Sequence, residues 1–83
     1  MQYVLVTGSK EIRGHRAELK GWAIRATSAA VVNIRDGGAS GNIVVPLNIA
    51  NGVSTHEKTD IFFDNDIYVE VVSGTIVGSV FVE

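Results

Sequence analysis

The sequence predicts an all-β fold, a small antiparallel β-sandwich or barrel, jelly-roll-like, with about six to seven strands. Valine and isoleucine dominate its apolar residues, and turn residues recur at short intervals. Almost no segment spaces apolar residues three and four apart over helical length. At 83 residues the chain has room for one domain, 1–83. We divide it into an N-terminal strand with a charged connection, 1–18, and a main β-sandwich, 19–83.

The strands are predicted where β-branched residues recur between turn residues. Before residue 64 these segments are Gln2–Thr7, Glu18–Thr27, Ala30–Arg35, Asn42–Ala50 and Thr59–Phe63. The charge-rich stretch between the first two is interrupted by Gly8 and Gly14, so we expect it to be a solvated connection.

Glycine-containing turns separate the later strands. Three glycines between Arg35 and Asn42 predict a hairpin with a mobile tip, and Asn51-Gly52 ends the next strand. Ser73-Gly74 lies between two valine-rich runs and predicts a tight hairpin of Ile67–Val72 with Thr75–Val82. That hairpin would pair Val71 with Ile76 and place one apolar set on one face: Ile67, Val69, Val71, Ile76, Gly78 and Val80.

Alternation along Asn42–Ala50 predicts one core face, because alternate residues of a strand point the same way. That face comprises Ile43, Val45, Leu47 and Ile49. The opposite face carries Val44, Pro46 and Asn48. Pro46 cannot donate a ladder hydrogen bond, so we expect an edge strand.

Several strands are apolar on a second face as well. Tyr68, Val72, Val77 and Phe81 share the second face of the predicted C-terminal hairpin. Phe62-Phe63 adds to this, because adjacent strand residues face opposite ways and only one ring can enter a single core. The outer surface is therefore expected to be covered by a neighbouring molecule. The alternative is that two sheets of one sandwich curl over these positions.

No pattern of catalytic residues is visible. The chain has no cysteine, which excludes thiol catalysis, disulfides and thiolate metal centres, and it has no Gly-x-Ser-x-Gly elbow. His15 and His56 stand in no ligand or nucleophile spacing, and we expect both at the surface. We therefore expect no enzyme activity and no cofactor. Asp60, Asp64 and Asp66 are interpreted as an acidic turn, with calcium binding as the alternative.

The distribution of charge and hydropathy bears on whether the protein binds nucleic acid or a membrane. The net charge is −2, with six basic and two acidic residues in 1–35 but one basic and seven acidic residues in 36–83. The basic residues lack interleaved aromatic residues, so we expect no nucleic-acid partner. No apolar run approaches the length of a membrane helix or a secretory signal, which predicts a soluble protein without a membrane partner.

Four motifs from Leu19 to Val82 resemble those of small β-rich structural proteins of tailed-bacteriophage virions. They are Leu19-Lys20-Gly21-Trp22, Arg35-Asp36-Gly37, Tyr68–Gly74 and Gly78–Val82. The resemblance implies a head decoration, cement or similar auxiliary protein that forms homo-oligomers, with a trimer favoured. It further implies binding to the major capsid protein or another virion protein, and location in the virion after assembly in the host cytoplasm.

The sequence thus predicts a non-enzymatic virion component that binds the shell and self-associates through apolar β-faces. The alternative is a carbohydrate- or receptor-binding module on a virion fibre or tail, which would expose Trp22 or Tyr68. Trp22 shares a face with apolar neighbours, so we expect it in the core. The candidate contact residues are Tyr3, Val44, Pro46, Tyr68, Val72, Val77 and Phe81, with one of Phe62 and Phe63.

Overall fold

The computed structural model describes all residues, 1–83, and confirms the all-β class. Its elements are β1 (Gln2–Val6), β2 (Lys10–Arg13), β3 (Ala17–Asp36), a short 3-10 turn (Gly38–Ser40), β4 (Asn42–Ile49), β5 (Ser54–Phe63) and β6 (Ile67–Val82). No helix in the structure has the length and apolar character needed to cross a membrane.

Two long strands organise the sheet. β3 and β6 pair antiparallel over nearly their whole lengths, from Leu19 opposite Val82 to Arg35 opposite Tyr68. The free side of β6 holds β1 and β2, and the free side of β3 holds β5 and β4. The result is two four-stranded layers that share β3 and β6. The first layer has the order β1-β6-β3-β5 and the second layer has the order β2-β6-β3-β4.

The joint between the layers lies where the β3–β6 pairing shifts register, between Ala26 and Val32. Opposite this region Gly74 has φ 80°, and a Cβ there would lie 2.1 Å from the Ala29 carbonyl oxygen. The predicted hairpin at Ser73-Gly74 is therefore wrong, since β6 continues as one strand through both residues. A bulge and a turn have the same effect on the alternation of inward and outward residues. In β6 the inward residues are odd-numbered up to Val69 and even-numbered from Ile76 onward.

A second irregularity divides the inward positions of β3. The register shifts between Leu19 and Gly21 against both neighbouring strands. Gly21 has φ 150°, and a Cβ there would lie 2.3 Å from the Glu57 carbonyl oxygen. Because of this shift, the next inward side chain after Leu19 is Trp22, three residues later rather than two. The two strands predicted at Glu18–Thr27 and Ala30–Arg35 are one continuous β3.

Inward side chains from both layers form one cluster of 17 buried residues. Trp22 belongs to it as predicted, and so does Phe63, which is fully buried. Burying a side chain of this size contributes about 1.5–3 kcal/mol. On β4, an edge strand as predicted, Ile49 is buried and Val45 and Leu47 pack against the cluster. The prediction that Ile43 lies in the core is wrong, because its side chain is exposed.

The predicted connection between the first two strands contains β2. Lys10 pairs with Val69 of β6, and Ile12 is buried. The prediction of a solvated connection is therefore wrong at Lys10–Arg13, since one inward isoleucine anchors this short strand. His15 and His56 are exposed, as predicted. β5 begins at Ser54, five residues before the predicted start at Thr59.

Two carboxylates tie the turn after β3 to the turn before β6. Asp36 accepts hydrogen bonds from the backbone N–H groups of Asp64 and Asn65 at 3.0 and 2.9 Å. In return, Asp66 Oδ1 accepts from the N–H groups of Gly37 and Gly38 at 2.6 and 2.8 Å. Desolvation acts to raise the pKa of Asp36, but the N–H donors outweigh it and the pKa is lowered.

Candidate interaction surface

The outer face of the first layer carries an apolar surface beside strand β1. Tyr3 lies opposite Phe81 in the ladder, and their ring centroids are 4.8 Å apart at 50°. Leu5 lies opposite Ser79 on the same face, and Val77 follows on β6. Tyr3 and Leu5 are 69% and 61% exposed. We call the surface formed by Tyr3, Leu5, Val77 and Phe81 the β1 face.

The β1 face ends at the middle of the layer, where the sheet becomes polar. Across β3, Gly21 follows Phe81 and Arg25 follows Val77. Across β5, the next outward positions are His56 and Lys58. The apolar side chains therefore lie at the edge formed by β1, and the charged ones lie at the opposite edge.

A groove of about 460 Å³ opens beside the Tyr3–Phe81 pair. It is lined by Met1, Tyr3, Lys20, Lys58, Thr59, Asp60 and Phe81. Gly21 stands between Phe81 and Lys58 in the ladder and adds no side chain there. This leaves one side of the groove aromatic and the other charged.

Lys20, which lines this groove, forms ion pairs with neighbouring carboxylates. Lys20 Nζ donates to the Asp60 carboxylate and lies 3.7 Å from Glu18 and 3.9 Å from Glu83. The hydrogen bond with Asp60 raises the pKa of Lys20 and lowers the pKa of Asp60. Both groups therefore remain ionised near neutral pH, and Lys20 is a paired cation rather than a free nucleophile.

The outer face of the second layer is built differently. Glu70 Oε1 accepts from Arg35 Nε at 2.9 Å and from Asn33 Nδ2 at 3.2 Å. Arg35 Nη1 also donates to the Gly41 carbonyl at 2.6 Å. The hydrogen bond from Arg35 is the main reason that the pKa of Glu70 is lowered. A polar network, with Asn33 only 9% exposed, thus covers the centre of this layer.

The structure divides the predicted contact residues among separate regions. Tyr3, Val77 and Phe81 lie together on the β1 face, whereas Tyr68 lies on the outer face of the second layer. Val44 and Pro46 lie on β4 of the second layer, and Val72 lies in β6 at the joint between the layers.

The two adjacent phenylalanines point in opposite directions, as the sequence predicted. Phe63 lies in the core, and Phe62 is 58% exposed with the Arg16 guanidinium 4.9 Å above its ring. Phe62 is therefore the ring available for an outside contact. Leu5 was missed, although its alternation with Tyr3 along β1 was a usable signal.

Two of the three aspartates of the predicted acidic turn make separate contacts. Asp60 pairs with Lys20, and Asp66 holds the backbone of the glycine turn. The structure contains no group of three or more His, Cys, Asp or Glu side chains placed to hold one metal ion. The charge asymmetry of the sequence is partly averaged by pairs that join its two halves, such as Lys20 with Asp60 and Arg35 with Glu70.

The aromatic residues proposed for a sugar platform are not both accessible. Trp22 is 4% exposed and its Nε1 is buried without a hydrogen-bond partner. Tyr68 is only partly exposed. The aromatic pair that lines the groove is formed by Tyr3 and Phe81.

Comparisons with protein-family models, curated proteins and solved structures give no match. The functional argument therefore rests on the residues themselves and on the geometry of the two layers.

Proposed function

We propose that this protein is a non-enzymatic assembly subunit that binds copies of itself and a larger protein structure through apolar β-faces. The observation that carries the proposal is the β1 face, where Tyr3 and Leu5 lie largely in water beside Phe81. Covering a side chain of this size contributes about 1.5–3 kcal/mol when burial is complete.

The small core adds support. Only 19 of the 83 residues are buried, and the chain has no disulfide to compensate. Small domains of this kind gain stability from whatever binds the folded state, because binding shifts the folding equilibrium by mass action. An assembly subunit would gain that stability in its final location.

The more specific role follows from the sequence motifs. The proposed setting is the virion of a tailed bacteriophage, with the protein acting as a decoration, cement or auxiliary subunit on the major capsid protein or another virion protein. The motif Leu19–Trp22 contains the Gly21 bulge, and Tyr68–Gly74 ends at Gly74, which has a positive φ at the joint between the layers. Two of the motifs thus coincide with irregularities that shape the two layers of this molecule.

A carbohydrate- or receptor-binding module is the second candidate. The groove beside Tyr3 and Phe81 favours it, because aromatic rings next to Lys58 and Asp60 offer stacking together with hydrogen bonds. Glycan-array binding that is lost in Tyr3→Ala would support this candidate. Unchanged binding in that variant would exclude the groove as the sugar site.

Light scattering over a concentration series tests the assembly proposal. The wild-type protein is expected to form an oligomer, with a trimer implied by the motifs, and Leu5→Lys is expected to shift it toward the monomer. Val53→Lys is the matched control, because Val53 is a similarly exposed apolar residue outside the β1 face. A wild-type protein that stays monomeric, or a control that dissociates equally, would overturn the proposal.

A further inference from the structure

The sheet has four free edges, and only one lacks protection against pairing. β2 carries Lys10, Glu11 and Arg13, and β5 carries a run of charged and polar side chains around Glu57. β4 has Pro46 in its middle. Charge and proline are the usual means by which edge strands avoid pairing with other chains. β1, with the sequence Gln-Tyr-Val-Leu-Val, has neither.

We propose that β1 is a pairing edge for a second copy of this chain. Two β1 strands would pair antiparallel about a two-fold axis at Val4, joining two four-stranded first layers into one continuous sheet of eight strands. The inference rests on the proposed function, since both require self-association, but it specifies the strand, the symmetry and the register.

A register centred on Val4 pairs all five residues of β1. Tyr3 then lies opposite Leu5 of the second copy, and the same pair recurs on the other side of the axis. Residues that face each other in an antiparallel ladder lie on the same face, so both pairs extend the β1 face across the seam. Two of the most exposed large apolar side chains of the molecule therefore pack side by side across the seam.

Charge distinguishes this edge from the others under the same symmetry. A two-fold axis at the centre of β2 would bring Lys10 opposite Arg13 of the second copy, and like charges in facing positions are destabilising. β1 brings no charges together. The apolar part of the first layer also lies directly beside β1, whereas its charged part lies along β5.

The backbone of β1 is accessible on its free side. The strand pairs with β6 alone. The one side-chain hydrogen bond to its backbone comes from Lys10, whose Nζ donates to the Leu5 carbonyl at 3.2 Å. Lys10 is exposed, so this flexible side chain can move aside when another strand arrives.

A two-fold interface differs from the trimer that the motifs imply. In a ring of three, β1 would have to pair with a different edge of the next copy, and every other edge carries charge or Pro46. A two-fold axis needs only a strand complementary to itself. The edges of this molecule therefore favour a dimer as the first assembly step.

Site-specific disulfide formation tests the strand and the register, because the wild-type chain has no cysteine. Under mild oxidation Val4→Cys is expected to form a covalent dimer on its own. Tyr3→Cys and Leu5→Cys are expected to cross-link poorly alone but readily when mixed, since only the mixture places two thiols opposite each other. Val53→Cys is the control for random collisions.

The mixed pair keeps the test valid if Val4→Cys folds poorly, because Tyr3 and Leu5 are both exposed. We expect at least about tenfold more mixed dimer than Val53→Cys dimer at equal protein concentration. Light scattering that shows an oligomer, without a preference for the mixed pair, would overturn edge pairing and leave the proposed function standing. A monomer by light scattering would overturn both.

Discussion

The two layers of this molecule share the same two long strands yet have different outer faces. The second layer is covered at its centre by Asn33, Arg35 and Glu70, which satisfy one another. The first layer has no such network beside β1, where Tyr3 and Leu5 face water. The comparison shows that one pair of strands can carry both a face covered by a polar network and a face with exposed apolar side chains.

The largest expected effect comes from breaking the joint between the layers. Gly74→Ala should destabilise the protein by more than about 3 kcal/mol, because its Cβ would lie 2.1 Å from the Ala29 carbonyl oxygen at φ 80°. Gly52→Ala is the control, since Gly52 has φ 76° with nothing within 4 Å of an added Cβ. It should cost only the backbone strain, about 1–2 kcal/mol.

Urea unfolding monitored by circular dichroism, at matched protein concentration, would compare the two variants. Equal losses would mean that the close approach at Gly74 does not hold the layers together.

A smaller effect is expected from opening the polar network of the second layer. Asn33→Ala removes a donor to Glu70 at a nearly buried position and should cost about 1 kcal/mol. For a domain of this size that lowers Tm by about 4–8 °C. Asn48→Ala, at an exposed site on the neighbouring strand, should leave Tm almost unchanged. Similar melting of both variants would contradict a stabilising role for the network.

The smallest effect is the pH dependence of stability. The pKa values of Asp36, Asp60 and Glu70 are lowered in the fold, so their contribution is complete above their ordinary values of 3.8 to 4.5. It is lost as pH falls through the lowered values. Stability should therefore decline below about pH 4. Asp36→Asn should flatten this decline in a pH series of urea midpoints, and an unchanged slope would exclude Asp36 as a contributor.

Glu11 is expected to act with the opposite sign. Desolvation, followed by its hydrogen bond and repulsion with Asp66, raises the pKa of Glu11. Its favourable contribution is present below its ordinary pKa and is lost as pH rises through the raised value. Glu11→Gln should therefore raise the urea midpoint at pH 7 relative to wild type. A lower midpoint would show that the Glu11 charge is favourable in the fold.

The fold class was predictable because alternation survives wherever the ladder is regular. It correctly identified Ile49 and the inward residues on each side of Gly74. It could not separate a bulge from a turn at Ser73-Gly74, because both shift the alternation by the same step. The distinction depends on β3 lying alongside, which is a tertiary contact far away in sequence.

The candidate site was only partly predictable for a similar reason. The sequence required one of Phe62 and Phe63 to lie outside, but only the pairing of β5 with β3 decides which one. β2 was missed because four residues with a single inward side chain give too short a pattern. The unprotected edge of β1 becomes visible only when the strand order is known, since an edge is a property of the whole sheet.

The passage of β3 and β6 through both layers also determines how the molecule comes apart. Because β3 and β6 run through both layers, neither layer has a complete set of strands of its own. We therefore expect that neither layer stays folded when the other unfolds. Denaturation should consequently be all-or-none despite the visible division of the sheet. For the proposed assembly subunit, this means that no partly folded copies would be present to join the assembly.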